Sequence, residues 1–551
     1  MHTKLLRLAL APILLALVIF LAACGDDDEG TTESGPDPIA LAPADVPFYA
    51  ELVVRPEGSL GDDLNAAISK VSGDDDPGQA IIDQLNESLA EDSDLTYEDD
   101  IEPWLGSRAG VFVSGIQADT RQPDAAAVIA TTDADAAQSF VDSALESEGA
   151  ETSDESYEGV DYKLDADDGS AVGIDQDFLI VGTEQAFKDA VDAGAGDSLE
   201  DSPDATAALE QAPDDSIFSL YADGTAVANL LKSSPDLGPV ESKQLDQTLA
   251  QIPDGPIEAW GTVTDSSFAF AGSAPTPADA VAPSDLITTF PSGSWLAFAG
   301  ADVGQQIEDQ VKQFQAAFEA TLNEAAGELP PGVKAPKGDP LGEVQDTIGI
   351  DLDKDVGWIG DAGMFLEGTD LLGLGAGVVL ESNDDDAATA ALDKIEKTIS
   401  RDRAIRRDAQ VAPNSEGDGF TVQSPPFSAE FAVRDSKLVV AAGSENVDSV
   451  LSPDETLADS DRFTAVTGNL GEGATPTFFL DFPPLLDLIE SQGQASDDPD
   501  YQSAAPYLHA LDYLVAGSSV DGGRTTGSLV LGVKESDSSG GSDVAPAVVA
   551  P

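Results

Sequence analysis

The chain has 551 residues, with 25 Lys and Arg against 104 Asp and Glu, 2 His and one Cys, and a formal charge of −79. Phosphate recognition needs clustered Lys and Arg, so this balance excludes a nucleic-acid binder; a single Cys excludes a disulfide framework and any Cys-based zinc or iron–sulfur site. At 41% hydrophobic the chain is no disordered acidic tail, and it can fill a core spread over roughly two to four domains.

The N-terminus reads as an address. Lys4 and Arg7 precede an apolar run from Leu8 to Ala23, which is shorter than the ~20 residues a spanning helix needs and contains Pro12. The run ends in Leu21-Ala22-Ala23-Cys24. Small residues ahead of a Cys suit a peptidase that cleaves before a lipid-modified thioether, and this segment resembles the bacterial lipoprotein lipobox. Residues 1–23 are therefore expected as a lipoprotein signal peptide and Cys24 as the lipidated residue. The mature protein would then lie outside the cytoplasm, anchored to the cell membrane through Cys24. Loss of Lys4 and Arg7 takes the charge from −79 to −81. Two or more acyl chains on Cys24 suffice for stable anchoring. Residues 24–42 are acidic and rich in Gly, Ser, Thr and Pro, which predicts a flexible tether with a reach of roughly 25 Å.

From residue 43 onward the chain repeats itself with a period near 255 residues. Ser198-Leu-Glu-Asp-Ser-Pro-Asp-Ala-Thr-Ala207 matches Thr456-Leu-Ala-Asp-Ser-Asp-Arg-Phe-Thr-Ala465. Trp104-Leu-Gly106 matches Trp358-Ile-Gly360, Ala127-Val-Ile-Ala130 matches Gly377-Val-Val-Leu380, and Phe178-Leu-Ile-Val181 matches Lys437-Leu-Val-Val440, leading into Gly182 and Gly443. The matches keep their order. They define lobe one at 43–272 and lobe two at 284–534, joined by a Pro-rich linker at 273–283 and followed by a Ser/Gly/Ala-rich tail at 535–551 expected to be disordered.

Short β-branched or aromatic runs predict lobe-one strands at Phe48–Val54, Ala109–Val113, Ala171–Ile174, Phe178–Val181, Ile217–Tyr221, Ile257–Val263 and Phe268–Ala271. Polar turns at Asp175-Gln-Asp177 and Arg434-Asp-Ser436 predict hairpins. Ile307, Val311, Phe314, Phe318, Leu322 and Leu329 fall at helical spacing and predict a helix over 302–329, stopped by Pro330-Pro331. Its lobe-one counterpart breaks near Gly73–Gly78, with Ile81, Ile82, Leu85 and Leu89 lining the second piece. The fold class is α+β, as two duplicated lobes that are each a mainly antiparallel sheet packed with amphipathic helices.

Asp45-Val-Pro-Phe-Tyr49, Asp100-Ile-Glu-Pro-Trp-Leu-Gly106, the lipobox and the strand pattern resemble one bacterial family, the domain of unknown function 3352 family. Lobe two departs from it, since Asp355-Val-Gly-Trp358 lacks the Pro before Trp. The resemblance implies an envelope protein and no activity.

Chemistry is sparse. Beyond residue 23 there is one His, His509, and no zinc helix, no Gly-x-Ser-x-Gly and no phosphate loop. His509 as a base is set against a capping or solvent-facing His. Gly373-x-Gly375-x-Gly377 lies in an apolar run and reads as a Gly-rich strand. Asn414-x-Glu416-x-Asp418-Gly419 and Asp351-x-Asp353-x-Asp355 begin like calcium loops, but Pro425 and Ala362 stand where the bidentate acid belongs. Trp104 and Trp358 read as core residues beside strand starts. Lys394, Lys397, Arg401, Arg403, Arg406 and Arg407 form the one basic cluster, either a solvated helix end or a dock for an anionic partner.

The expectation is a non-catalytic binding or structural module of the cell envelope, with no catalytic, metal or cofactor residues. Its partners are the membrane, through lipidated Cys24, and an unknown envelope protein or apolar ligand. The alternative is a carrier of a lipid or other apolar ligand, and a third reading is a carboxylate-based envelope hydrolase.

Overall fold

The computed structural model describes residues 35–535, apart from 94, 118–121, 167, 233–248, 250–251, 279, 313–350, 353, 403–404 and 492–497. Residues 1–34, which include the expected signal peptide and Cys24, and residues 536–551 lie outside the described residues.

In lobe one the strands are β1 (Phe48–Val53), β2 (Leu105–Ile116), β3 (Pro123–Thr131), β4 (Thr152–Tyr157), β5 (Val160–Asp165), β6 (Ser170–Asp175), β7 (Phe178–Thr183), β8 (Ser216–Asp223), β9 (Pro256–Thr264) and β10 (Ser267–Pro275). In lobe two they are β11 (Ser294–Gly300), β12 (Ile359–Glu367), β13 (Gly375–Ser382), β14 (Gln410–Pro413), β15 (Gly419–Ser424), β16 (Phe427–Arg434), β17 (Lys437–Gly443), β18 (Thr475–Asp481), β19 (Leu511–Asp521) and β20 (Arg524–Val533). The seven lobe-one runs expected as strands all fall on strands. Both predicted hairpins form, β6–β7 and β16–β17. Sequence patterning misses β4 and β5, whose residues are mostly polar and exposed.

All pairings are antiparallel, and they join the strands into one sheet. Lobe one runs β4-β5-β6-β7-β3-β2-β1-β8-β9-β10 from side to side. Lobe two repeats that order with every number raised by ten. The lobes meet where β10 pairs with its own counterpart, β20. Antiparallel pairing of equivalent strands places a local two-fold axis normal to the sheet, so both lobes present the same faces. β10 continues through Pro275, three residues into the segment expected as linker.

One face carries the two larger cores. Tyr49, Phe112 and Tyr221 pack under the helices Glu184–Ala195 and Pro203–Leu209 in lobe one. Phe365 and Phe479 pack under Val447–Leu451 and Asp461–Thr467 in lobe two. The opposite face is covered at each end. Trp104, Ala109 and Ile129 lie with Val141 and Leu145 of the helix Ala134–Glu148, while Trp358, Ala362 and Leu438 lie with Ala388 and Leu392 of Asp385–Arg401. These two helices start alike. Asp133 Oδ1 accepts from Ala136 N at 3.0 Å and Asp384 Oδ1 from Ala387 N at 3.1 Å, so part of the acidic excess serves as N-caps.

The lobe-one helix after β1 is broken as expected. Gly58–Ser72 ends at Gly73, with φ +71°, and Asp76 caps Pro77–Asp92. The lobe-two counterpart begins at 303 and is described to 312; the rest of the predicted helix lies outside the described residues.

Two expectations are corrected. The tether ends before residue 42: Pro38–Leu41 forms a 3-10 turn, and Leu41 and Ala42 are fully buried, because this stretch is apolar and finds the lobe-one core. The match of Ala127 with Gly377 is one residue out of register. Phe112 pairs with Ala126 and its counterpart Phe365 pairs with Gly377, so the equivalent of Gly377 is Ala126. A one-residue slip exchanges the two faces of a strand. Gly377 is needed where it stands, since a Cβ there would enter the Phe365 ring.

Candidate binding cleft

Register places Tyr49 between Phe112 on β2 and Tyr221 on β8, and Ala297 between Phe365 on β12 and Phe479 on β18. Tyr49 and Glu51 of lobe one thus correspond to Ala297 and Ala299 of lobe two. Lobe two fills this position with apolar side chains; lobe one keeps it polar. Tyr49 Oη donates to Glu51 Oε2 at 2.7 Å, and Arg108 Nη1 donates to Glu51 Oε1. Burial pushes the Glu51 carboxyl up, the nearby Asp37 charge adds to this, and Arg108 and Tyr49 pull it back. Burial likewise holds the Tyr49 phenol well above its ordinary value.

Glu51 and Arg108 line a cleft of about 270 Å³ with Asp37, Asp214, Ser216 and Ser219, walled on one side by Ile39, Leu209 and Pro213. The buried Ser216 hydroxyl has no hydrogen-bond partner among the described residues. Such an orphan costs about 1–3 kcal/mol, which a fold retains at a functional site more readily than elsewhere. The sequence reading did not find this cleft. Its one legible signal was a Glu at position 51 in a strand whose odd-numbered neighbours face the core.

The residues singled out by sequence lie elsewhere and do not converge. His509 Nε2 sits 2.8 Å from Glu490 Oε1, which also accepts from Tyr501 Oη at 2.9 Å, in a half-exposed link between the helices Phe482–Ser491 and Pro499–Ala510. Trp104 and Trp358 are buried and donate Nε1–H to Asp100 O and Asp355 O, each at 2.7 Å. Gly373 lies ahead of β13, and Gly375 and Gly377 lie within it. Asp418 is held by Arg434 at 2.7 Å, and this bond draws its carboxyl below the ordinary value. Asn414 Nδ2 donates to Asp418 and Glu430, while Asp355 pairs with Lys394 at 2.6 Å. Among the described residues no group of three or more His, Cys, Asp or Glu is placed to hold a metal ion. In the basic cluster Lys397 pairs with Asp393 and Arg407 with Asp408. Arg401 ends its helix and Arg403 lies outside the described residues.

A second acidic place lies in lobe two. Glu367, at the end of β12, shares a hydrogen bond with Glu445, and burial first and Glu445 second raise its carboxyl to about 7. On the sheet face opposite the cleft, Met364, Phe298, Phe478, Ala516, Leu529 and Phe270 are successive cross-strand partners. Phe298 is 47% and Phe270 44% exposed. At ~4.8 Å per strand, this apolar row is roughly 24 Å long. Among the described residues no helix is long and apolar enough to cross a membrane.

Fold and cleft together define an α+β protein whose duplicated halves share one antiparallel sheet and differ in one polar cleft. The chain belongs to the family described as protein of unknown function (DUF3352), which matches residues 79–521. A search of curated proteins finds no match. Among solved structures, crystal forms I and IV of TP0453 share 11% and 14% identity with this chain; each covers 45% of it, against 82% and 84% of their own chains, and the TM-score is 0.24 for both.

Proposed function

We propose that the protein is a lipoprotein anchored outside the cytoplasm through Cys24, and that it acts as a non-catalytic binding module of the cell envelope. The observation that carries this reading is the lobe-one cleft, where buried Glu51, bonded to Tyr49 and Arg108, stands with the orphaned Ser216 hydroxyl, while lobe two has Ala297 and Ala299 at the places of Tyr49 and Glu51. Ser216 has no base bonded to it, which favours binding over acyl transfer. Asp37, on the cleft rim, is 13 residues from Cys24. Thirteen residues span at most about 45 Å when fully extended, so the anchor would hold the cleft close to the membrane.

A second reading, a carrier of an apolar ligand, is favoured by the half-exposed row from Met364 to Phe270. Such a row is unusual on a solvated face and matches a linear apolar ligand better than a compact one.

Two measurements test the proposal. Cys24→Ala should move the protein from the membrane fraction to the soluble one; unchanged retention overturns the anchor. Mass spectrometry of compounds extracted from native protein should find a bound small molecule; turnover of an envelope polymer or ester by purified protein, lost on changing one carboxylate, overturns the non-catalytic role.

A further inference from the structure

The carboxylates of the lobe-one cleft outnumber its cations by two. Asp37 and Glu51 act on each other as like charges, Asp214 adds a third carboxylate at the rim, and Arg108 is the only cation in the lining. Arg108 is already committed to Glu51, whose second oxygen takes the Tyr49 hydroxyl. An anion entering here would face three carboxylates against one guanidinium. A cation would offset one of the two excess negative charges, and burial of Glu51 would strengthen its pairing there. The walls also set the rest of the ligand. Ile39, Leu209 and Pro213 provide an apolar surface that a hydrated metal ion cannot use and an alkyl stem can. At about 270 Å³ the space lies just below the usual range for drug-sized ligands, ~300–1,000 Å³, and suits a side-chain-sized group. Ser216, whose buried hydroxyl has no partner among the described residues, belongs to the same lining.

We infer that the cleft receives a primary ammonium on a short alkyl stem, with the ammonium between Asp37 and Glu51 and the stem on Ile39, Leu209 and Pro213. Both a free alkylamine and a lysyl side chain carry this chemistry. The inference rests on the reading of the cleft as a binding site and names what it binds.

The test is calorimetric titration of the full chain at 0.15 M NaCl, which screens the general attraction of cations to so acidic a protein. The probes are pentylammonium, pentanol, pentanoate, Ca²⁺ and N-acetyl-lysine methylamide. Pentylammonium should bind at one site at least about tenfold more tightly than pentanol or pentanoate. Asp37→Asn and Ser216→Ala should each weaken it several-fold, with folding checked by circular dichroism. Tighter binding of N-acetyl-lysine methylamide assigns the natural group to a lysyl side chain, and tighter binding of pentylammonium to a free amine. Preference for pentanol, pentanoate or Ca²⁺, or ammonium binding unaffected by both substitutions, overturns the inference while leaving a binding cleft. Failure of every probe to bind overturns the cleft reading itself.

Discussion

Glu258 on β9 and Arg524 on β20 form an ion pair between the two lobes, across the intervening strand β10. Arg524 Nε also donates to Ser273 Oγ at 2.9 Å, and its Nη2 to Pro256 O at 3.2 Å. Glu258 is almost fully buried, and burial raises its carboxyl while Arg524 draws it down. Ala271 and Ser528 pair at the local two-fold axis, so a shift of 257 relates equivalent positions in this ladder. That shift takes Glu258 to Val515 and Ser273 to Val530, both buried in the lobe-two core. One side of the axis is therefore closed by aliphatic packing and the other by a buried ion pair.

The pair predicts an asymmetric mutational response. Arg524→Met leaves Glu258 buried and unpaired, and should cost roughly 3 kcal/mol in urea unfolding. The triple change Glu258→Val, Ser273→Val and Arg524→Met puts the valines of the lobe-two side at 258 and 273, removes both charges, and should recover most of that loss. A triple variant as unstable as Arg524→Met would show that the ion pair is needed in its own right.

Glu367 predicts a pH dependence. Its folded value of about 7 lies above the ordinary carboxylate value, so the folded state binds the extra proton. The stability it contributes is complete below about pH 4 and is lost as the pH rises through 7. Glu367→Gln should flatten the urea midpoint between pH 4.5 and 7.5 and raise it at pH 8. An unchanged slope would assign the titration to other acids.

Gly377→Ala should destabilise lobe two by about 1–3 kcal/mol, because the new methyl must displace the Phe365 ring at the centre of its core. Ala126→Gly, at the equivalent place in lobe one, should cost less than about 1 kcal/mol through backbone entropy. Equal effects would contradict the register derived for β13.

Net charge predicts a salt effect. At −79 the chain repels itself, and screening shortens the range of that repulsion. The unfolding temperature should rise as NaCl goes from low to near-molar concentration. A falling curve would show that ion pairs such as Arg434 with Asp418 and Asp448 outweigh the repulsion.

Lobe one was read most fully from sequence where one face of a strand is buried. β1, β7 and β9 alternate or run apolar because the sheet has a core on each face, and that pattern is written in residue order. β4 and β5 were invisible because an edge hairpin exposes its side chains and is held by backbone pairing, which carries no composition signal. The slipped match at Gly377 has a related cause. Ala-Val-Ile-Ala and Gly-Val-Val-Leu look equally good in two registers, and only the ring of Phe365 selects one.

The candidate cleft was legible only in part. Glu51 and Arg108 are 57 residues apart, Ser216 comes much later, and no spacing rule joins them. The sequence by itself determined the duplication, the α+β class and the scarcity of catalytic groups, because periodicity, repeats and residue counts are properties of the chain's order. Tertiary structure decided that the lobes share one sheet through β10 and β20, and that Glu51 is buried beside Arg108 where lobe two has alanine. Those outcomes depend on which strand edges meet and which side chains lose water together, and both are fixed by contacts between residues far apart in the chain.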